Sequence, residues 1–417
     1  MSKMLLVQWG PETVGYLTPQ RRGRVQFAYA PEWIENYNQP ISLSLPCTLE
    51  KFDAQTSTAF FDNLLPEGTA YQELCLENRI DETDTYRFLQ FFGQDCAGAL
   101  TIISEDAAEV SVEPAYRDIT NKLEEILASY RGMPTNSLIA ETKARLSIAG
   151  AQNKLPIHMQ DGKFLVPEEG SHAPTTAILK PMTTRFKDIH FNEVFCMELA
   201  RKTGLHTPDV MLVQIGDFQA YVTMRYDRQQ TDAGILRLHQ EDFCQALRYS
   251  RLVKYEEHGG PGFSSCNRVL LNPLVTGSLA ARENFIKCAL FNYIIGNCDA
   301  HAKNFSLLYH REEGIHLAPF YDLVSTMVYP DLEQKFAMAI GKTFHFDRIS
   351  THSWKQFAVD MSIRMEQLEL LAAEVASSVA ACVDTLVEEH QRKYGAAPLY
   401  GALMRIIRNG IALIRQI

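Results

Sequence analysis

Residues 291–325 have the clearest chemical potential in the chain, with the sequence FNYIIGNCDAHAKNFSLLYHREEGIHLAPFYDLVS. An apolar pattern of helical spacing ends at Gly296, and a polar run with Asp299 and Asn304 follows it. A second acid, Asp322, comes after a predicted pair of short strands. Phosphoryl transfer needs this arrangement, because the first Asp orients the attacking hydroxyl while the Asn amide oxygen and the second Asp hold magnesium against ATP.

Two other interpretations of this stretch remain open from the residues alone. An Asp followed five residues later by an Asn is not specific, since turn-forming loops are rich in both residue types. Cys298 and His301 have the spacing of zinc ligands, but no partner pair accompanies them elsewhere in the sequence. The apolar helix before the loop and the acid after the strand pair favour a kinase-type site.

The composition predicts an ordinary soluble globular protein of two or three domains. The chain has 417 residues, 46% of them hydrophobic, which is ample for large cores. Its net charge of -10 argues against autonomous binding of nucleic acid, which relies on clustered Lys and Arg. Nine cysteines without a Cys-x-x-Cys pair indicate reduced thiols, and the short N-terminal apolar run predicts no signal peptide. We therefore expect a cytoplasmic location and no membrane partner.

The first predicted segment, residues 1–104, combines strands and helices. Strand-like alternation bounded by Gly or Pro opens the chain, and the prolines at both ends of 40–46 predict an extended segment there. Residues 57–65 predict a helix with one apolar face, and Asp84 is the predicted N-cap of a second helix that ends at Gly93. Residues 98–104 predict a buried strand that closes the segment.

The second predicted segment, residues 105–237, supplies groups that could bind phosphate. Ser147, with the small residues Ala149, Gly150 and Ala151, forms a tight stretch before Lys154. Its backbone could approach phosphates, or it could be an ordinary hairpin turn, since a G-x-G-x-x-G pattern is missing. Lys180 ends an apolar strand, and a Lys in that position needs an anion to offset its desolvation.

A helix over 190–203 and a hairpin follow Lys180 in the same segment. Glu193 on that helix could orient Lys180 through an ion pair, or it could be a surface charge. The hairpin turns at Gly216-Asp217, and its second strand ends at Met224, Arg225 and Tyr226, where backbone groups could hold adenine.

The third predicted segment, residues 238–417, is dominated by helical patterns. A glycine-rich loop over 254–265 is predicted to be mobile. The fold class predicted for the whole chain is α+β. It is a two-lobed kinase-like fold with a mixed α/β N-terminal part and an all-helical C-terminal lobe.

Eight segments together resemble the HipA family of serine/threonine protein kinases, the toxin components of bacterial toxin and antitoxin pairs. The likeness covers nearly the whole chain, and it departs at Met224, where an acid is common, and at Asn153, which replaces a frequent Glu. The matching segments are PISLSLP, FFDNLLPEG, FGQDCAGALT, RLSIAGAQNK, QEDFCQAL, VKYEEHGGPG, DAHAKNFS and PFYDLVS.

The resemblance implies a role for each matching residue. Asp299 would be the catalytic base, Asn304 and Asp322 would bind Mg²⁺, and Ser147 would be the site of autophosphorylation. The implied ATP contacts are Ala149, Gly150, Ala151, Gln152, Asn153, Lys154, Lys180, Met224, Arg225, Tyr226, His301, Ala302, Lys303, Asn304, Tyr321 and Asp322.

The resemblance also implies partners. These are a helix-turn-helix antitoxin of the HipB type, operator DNA bound through that antitoxin, and a protein substrate. The family analogy suggests glutamyl-tRNA synthetase as that substrate, and inhibition of translation would be the outcome. Two alternatives stay open. The Asp-x-His-x-x-Asn form of Asp299, His301 and Asn304 also resembles lipid kinases of the phosphoinositide type, so one alternative is a small-molecule or lipid kinase. The other is an inactive corepressor that binds antitoxin and DNA.

Overall fold

The structure is a computed structural model of the chain. It describes residues 4–105, 114–132, 154–168, 171, 173–183, 186–232, 234–395 and 398–417.

The chain forms two compact units, each built from separate stretches of sequence. The first unit comprises Met1–Pro181, Val213–Arg251 and Leu308–Glu313. The second comprises Met182–Leu212, Leu252–Leu307 and Gly314–Ile417. The predicted segments 1–104 and 105–237 therefore fall mainly in one unit, except that 182–212 belongs to the other. The three-part division at 104 and 237 stays a prediction.

The first unit contains a four-stranded antiparallel sheet, a six-stranded antiparallel sheet whose edge strand begins at Val210 among the residues of the second unit, and five of the helices that follow or connect the strands. The four-stranded sheet has the order β3-β2-β1-β4, and the six-stranded sheet has the order β5-β7-β6-β8-β10-β9. The strands are β1 Leu5–Trp9, β2 Glu12–Pro19, β3 Val25–Tyr29, β4 Leu100–Ser104, β5 Tyr116–Asp118, β6 Leu155–Gln160, β7 Lys163–Pro167, β8 Ala177–Pro181, β9 Val210–Ile215 and β10 Phe218–Met224. The helices are α1 Pro31–Asn36, α2 Ala54–Asp62, α3 Gly68–Glu77, α4 Thr85–Phe92 and α5 Leu123–Gly132.

Helix α2 differs from its prediction at both ends, and α4 matches its prediction. Helix α2 begins at Ala54 because the Asp53 carboxylate accepts the Thr56 N–H at 2.8 Å and caps the first turn. In α4 the Asp84 carboxylate caps the helix by accepting the Arg87 N–H at 2.9 Å, and Gly93 follows the helix as expected. The predicted strands over 98–104 and around Lys180, and the hairpin at Gly216-Asp217, are also present as β4, β8 and β9–β10.

The prediction of an extended segment over 40–46 is wrong. The chain turns there, with a bridge between Ser42 and Leu45 in which the Leu45 N–H donates to the Ser42 carbonyl at 3.0 Å. The turn is held by the buried carboxylate of Glu241, on strand β13 His239–Asp242. This carboxylate accepts the Leu43 N–H at 2.9 Å, the Ser42 hydroxyl at 2.5 Å and the hydroxyl of Tyr309.

Glu241 makes the stability of the first unit depend on pH. Burial raises the pKa of Glu241 from 4.5 to about 7, so the folded state binds this proton more tightly than the unfolded state does. Its stabilising contribution is complete below pH 4.5 and is lost as pH rises through 7. The buried imidazole of His239 opposes this trend, because burial lowers its pKa from 6.5 to about 4. Replacing Glu241 alone separates its contribution to the pH dependence of stability from that of His239.

We expect Glu241→Gln to gain stability relative to the wild type as pH is raised from 5 to 8. The difference in the free energy of unfolding should shift by up to ~3 kcal/mol, because Gln does not titrate. Urea unfolding across this pH range measures the shift, and Glu50→Gln at an exposed site is the matched control. A stability difference between wild type and Glu241→Gln that stays constant with pH would contradict the prediction.

A buried ion network fastens the chain after β10 to residues 95–98 of the same unit. Asp95 contacts Arg228 at 3.0 Å and Arg237 at 3.2 Å, while Asp227 contacts Arg225 at 2.8 Å and Arg228 at 2.9 Å. The Asp227 carboxylate also accepts the Gly98 N–H at 2.8 Å. Burial lowers the pKa of Arg228 to about 10. Removing one member would leave a charge unpaired in the interior, so the network locks the segment that follows β10.

Short elements complete the first unit after this segment. They are β11 Arg228–Thr231, β12 Gly234–Arg237, the strand β13 described above and helix α7 Phe243–Ala246. The next strand, β14 Ser306–His310, begins in the second unit and ends in the first.

The second unit is mainly helical, and its core lies around a central helix, α9 Ser278–Ile295, that packs against α11 Met365–Tyr394 and α12 Pro398–Ile414. The C-terminal part is not all-helical as predicted, because short strands interrupt it. One of these interruptions has the pattern of a β-hairpin rather than of a helix. It consists of KFAMAI, a two-residue turn at Gly341-Lys342 and a second strand that begins at Thr343. The elements are α6 Ile189–Lys202, α8 Phe263–Leu270, α9 Ser278–Ile295, β15 Gly314–Leu317, β16 Lys335–Ile340, β17 Thr343–His345, α10 Thr351–Asp360, α11 Met365–Tyr394 and α12 Pro398–Ile414.

Helix α11 is the one helix of the described residues that could cross a membrane by length and apolar composition. Those two criteria are also met by core helices of soluble proteins, and a third of the qualifying window is buried inside the chain. The cytoplasmic location and the lack of a membrane partner stay predictions.

All nine cysteines are free, and seven of them are buried. This agrees with their expected use as small apolar residues.

Candidate active site

Helix α9 ends where the polar loop of the predicted site begins. Gly296 has a φ of +65°, and a Cβ there would lie 2.8 Å from the sulfur of Met327 and 2.9 Å from Ile406 Cγ2. Both the backbone conformation and the close packing therefore require glycine. The Gly296 carbonyl accepts the Met327 N–H at 3.1 Å, which fixes the first residue of the loop.

Buried polar groups hold the backbone of the loop up to Asp299. The Asn297 side chain donates to Asn292 Oδ1 at 2.9 Å and accepts the Asp299 N–H at 3.1 Å. The Cys298 N–H donates to the Thr326 hydroxyl at 2.7 Å. The Asp299 side chain is 50% exposed. A fixed backbone with an accessible carboxylate is what a general base requires.

A 3₁₀ turn over Ala302–Asn304 returns the chain toward Asp299. The Asn304 amide nitrogen donates to the Asp299 carbonyl at 2.9 Å, and the His301 N–H donates to the same carbonyl at 2.8 Å. His301, Ala302 and Lys303 are buried, and His301 Nε2 lies 3.9 Å from Asp299 Oδ1. The structure thus brings these predicted residues together in one compact loop.

Tyr321 joins the second acidic segment to this loop. Its hydroxyl donates to the Lys303 carbonyl at 2.8 Å and lies 2.7 Å from the Ser306 hydroxyl. Asp322 follows directly with a φ of +54°, in the left-handed region that few residues other than glycine adopt. Such strain persists where the surroundings impose it, and it clusters at functional sites.

Asn192 of α6 fixes the chain just after Asp322, a role that was not predicted from the sequence. Its amide donates to the Ser325 carbonyl at 2.8 Å and accepts the Ser325 N–H at 3.0 Å, and the side chain is fully buried. Both backbone groups of Ser325 are satisfied by one side chain. The sequence gives little sign of this role, because Asn192 and Ser325 are 133 residues apart.

Asn304 and Asp322 have the ligand chemistry that Mg²⁺ prefers. The Asn304 nitrogen is committed to the Asp299 carbonyl, so the atom of that amide suited to a metal is its oxygen. Asp322 adds a carboxylate, and hard cations such as Mg²⁺ take oxygen ligands, usually one or two carboxylates with water and substrate phosphates. The residues present therefore fit the ion.

The zinc interpretation has less support. The described residues contain no group of three or more His, Cys, Asp and Glu side chains that could hold a metal. Burial also raises the pKa of the Cys298 thiol to about 11, which disfavours the thiolate that zinc binds.

The predicted ATP contacts on the sheet side belong to the first unit. Lys180 on β8 is buried, and its ammonium lies 5.4 Å from the ring centroid of Tyr221. The predicted strand-borne Lys is therefore present in the expected context, and its phosphate contact stays a prediction. Lys154 is half-buried just before β6.

Met224 and Arg225 lie next to each other at the end of β10. The Arg225 N–H donates to the Thr176 carbonyl at 2.9 Å, and its guanidinium is part of the ion network. Met224 lies opposite Ala177 of β8. The contacts of this segment to adenine stay predictions.

The predicted phosphate loop and Glu193 remain to be placed. Ser147, Ala149, Gly150, Ala151, Gln152 and Asn153 lie outside the described residues. Glu193 is buried on α6, so the surface-charge interpretation is wrong, and its pairing with Lys180 stays a prediction.

Comparison with known proteins gives the family. Residues 5–103 match the model of the HipA N-terminal domain, and residues 146–383 match that of the HipA-like C-terminal domain. This chain belongs to the HipA family of kinase toxins. It is 30% identical over 371 residues to the serine/threonine-protein kinase toxin HipA of Shewanella oneidensis, covering 84% of this chain and 82% of that one. It is also 34% identical to a Sinorhizobium fredii protein whose name describes it as a kinase, covering 94% of each.

A solved structure confirms the α+β, two-lobed kinase-like fold. The Shewanella oneidensis HipA in complex with HipB and its operator DNA has a TM-score of 0.82 to this chain. The two chains are 24% identical, and the match covers 99% of this HipA-family chain and 96% of the other.

Proposed function

We propose that the chain is an ATP-dependent serine/threonine protein kinase that acts as the toxin of a toxin-antitoxin pair. The observation that carries the proposal is the loop that holds the Asp299 backbone rigidly while leaving its carboxylate half exposed. The Asn304 amide is bonded within that loop, and Tyr321 links the loop to the segment of Asp322.

In this mechanism Asp299 orients the hydroxyl of the protein substrate and takes its proton as the phosphoryl group moves. Asn304 and Asp322 would hold Mg²⁺, which when bound neutralises charge on the ATP phosphates. Lys180 contributes a positive charge for the α and β phosphates, and the backbone of Met224 accommodates adenine. The remaining proposed ATP contacts are residues 149–154, Arg225, Tyr226, His301, Ala302, Lys303 and Tyr321.

Incubation of the purified chain with labelled ATP, Mg²⁺ and a bacterial extract tests this function. Labelled protein bands support the protein kinase, whereas label confined to lipid supports the phosphoinositide-type alternative. A chain that neither binds Mg²⁺-ATP nor transfers label would contradict both and favour the inactive corepressor.

The relative that is named a serine/threonine-protein kinase toxin supports toxicity as the biological role. We propose glutamyl-tRNA synthetase as the candidate substrate, with inhibition of translation as the result of its phosphorylation. We also propose that the kinase phosphorylates itself at Ser147. A phosphate on Ser147 would add roughly two negative charges and repel ATP from an adjacent phosphate loop. Mass spectrometry of the labelled products tests both proposals. Unlabelled synthetase and an unmodified Ser147 in active preparations would contradict them.

A HipB-like antitoxin and operator DNA are the proposed partners, since a protein of the same fold has been solved with both. The net charge of -10 means that DNA affinity must come mainly from a basic partner. We expect weak binding to operator DNA by the chain alone, and tight, salt-sensitive binding once a basic, dimeric antitoxin is added. A mobility-shift assay measures this, and tight binding by the chain alone at physiological salt would contradict it.

A further inference from the structure

A tyrosine contacts the proposed base directly. The Tyr255 hydroxyl donates to Asp299 Oδ1 at 2.6 Å, the short distance typical of an O–H donor on a carboxylate. The Tyr255 ring also packs edge-to-face against His301, with centroids 5.3 Å apart. Tyr255 therefore contacts two residues of the catalytic loop from a separate segment of the second unit.

The segment that carries Tyr255 is anchored, although its glycine-rich sequence predicts mobility. The half-buried Glu256 carboxylate accepts the Ala339 N–H of β16 at 2.6 Å, and Glu257 pairs with Lys335 at 2.9 Å. A Cβ on Gly262 would lie 2.4 Å from the Glu256 carboxylate. That glycine thus permits close packing around Glu256, and the anchored segment can hold the Tyr255 hydroxyl in place.

We propose that Tyr255 is a positioning residue that fixes the orientation of the Asp299 carboxylate. A half-exposed carboxylate can rotate between conformers, and a small misplacement of a reacting group is costly in rate. The tyrosine holds Oδ1 and leaves Oδ2 for the substrate hydroxyl. This inference rests on the proposed kinase function, in which Asp299 is the base.

Tyr255→Phe tests the role because it removes the hydroxyl and keeps the ring against His301. We expect kcat to fall about tenfold, while KM for ATP, the calorimetric affinity for Mg²⁺-ATP and the melting temperature stay close to wild type. Tyr71→Phe is the matched control, since it also removes one tyrosine hydrogen bond, to the Glu82 carbonyl at 2.8 Å in the first unit.

A double-mutant cycle with Glu256→Ala tests whether the anchored segment acts through Tyr255. Glu256→Ala frees the Ala339 N–H and should also lower kcat. If both changes act on the same carboxylate, the double variant should be no slower than the slower single variant. Fully additive losses would contradict action through one path.

The remaining outcomes separate this inference from the proposed function. An active wild type with a fully active Tyr255→Phe variant would overturn the positioning role alone. A faster variant would overturn it too, because the hydroxyl would then be competing with substrate for Asp299. If Tyr255→Phe lowers kcat but also weakens Mg²⁺-ATP binding or lowers the melting temperature, the tyrosine has a structural role. That result would overturn the positioning role. A wild type that transfers no phosphate would overturn the proposed function and this inference together.

Discussion

Asp299→Asn is expected to lower the rate of phosphoryl transfer by about a thousandfold, within the range that a positioned general base contributes. Asn has the same shape and can still accept the Tyr255 hydroxyl through its side-chain oxygen, so the loop should keep its conformation. The amide cannot take the proton of the substrate hydroxyl. The affinity for Mg²⁺-ATP should stay close to wild type, because the proposed metal ligands are Asn304 and Asp322.

Initial rates with labelled ATP measure the loss, and calorimetry measures nucleotide binding. Asp384→Asn is the matched control, because Asp384 is an exposed carboxylate paired with Arg408 at the surface of α11 and should matter little. A variant at position 299 with wild-type rates would remove Asp299 as the base and with it the mechanism.

Asp322 offers a second large effect, in which two substitutions should separate metal binding from backbone strain. Asp322→Gly should weaken Mg²⁺-dependent ATP binding by about a hundredfold, since a carboxylate ligand is removed. Asp322→Ala should lose the same affinity. The alanine variant should also be about 1 kcal/mol less stable than the glycine variant, because glycine adopts a φ of +54° without the penalty that a Cβ brings.

Calorimetry with and without Mg²⁺, together with urea unfolding, separates the two effects. Normal Mg²⁺-ATP binding by Asp322→Gly would show that another residue supplies the metal ligand. A glycine variant that is no more stable than the alanine variant would show that the backbone at this position carries no such penalty.

Local sequence signals determined several parts of the protein. Asp84 predicted a helix start because an acid at that position satisfies a free N–H within its own turn. Gly216-Asp217 between two apolar runs predicted the β9–β10 hairpin because strand alternation and turn residues lie within a few positions of each other. Gly296 likewise predicted the end of an apolar helix before the polar run of Asp299 and Asn304, because glycine readily adopts the left-handed conformation that ends a helix.

Other features depend on partners that are distant in sequence. Residues 40–46 form a turn rather than an extended segment because Glu241, 198 residues beyond Leu43, supplies a buried acceptor for that turn. Asn192 secures Ser325 over 133 positions, and Tyr255 reaches Asp299 over 44. None of these side chains has a local pattern that indicates its partner. The sequence by itself thus determined which residues could carry the chemistry, whereas the tertiary structure decided how they are held, because a buried polar group takes whichever partner the fold brings within hydrogen-bond distance.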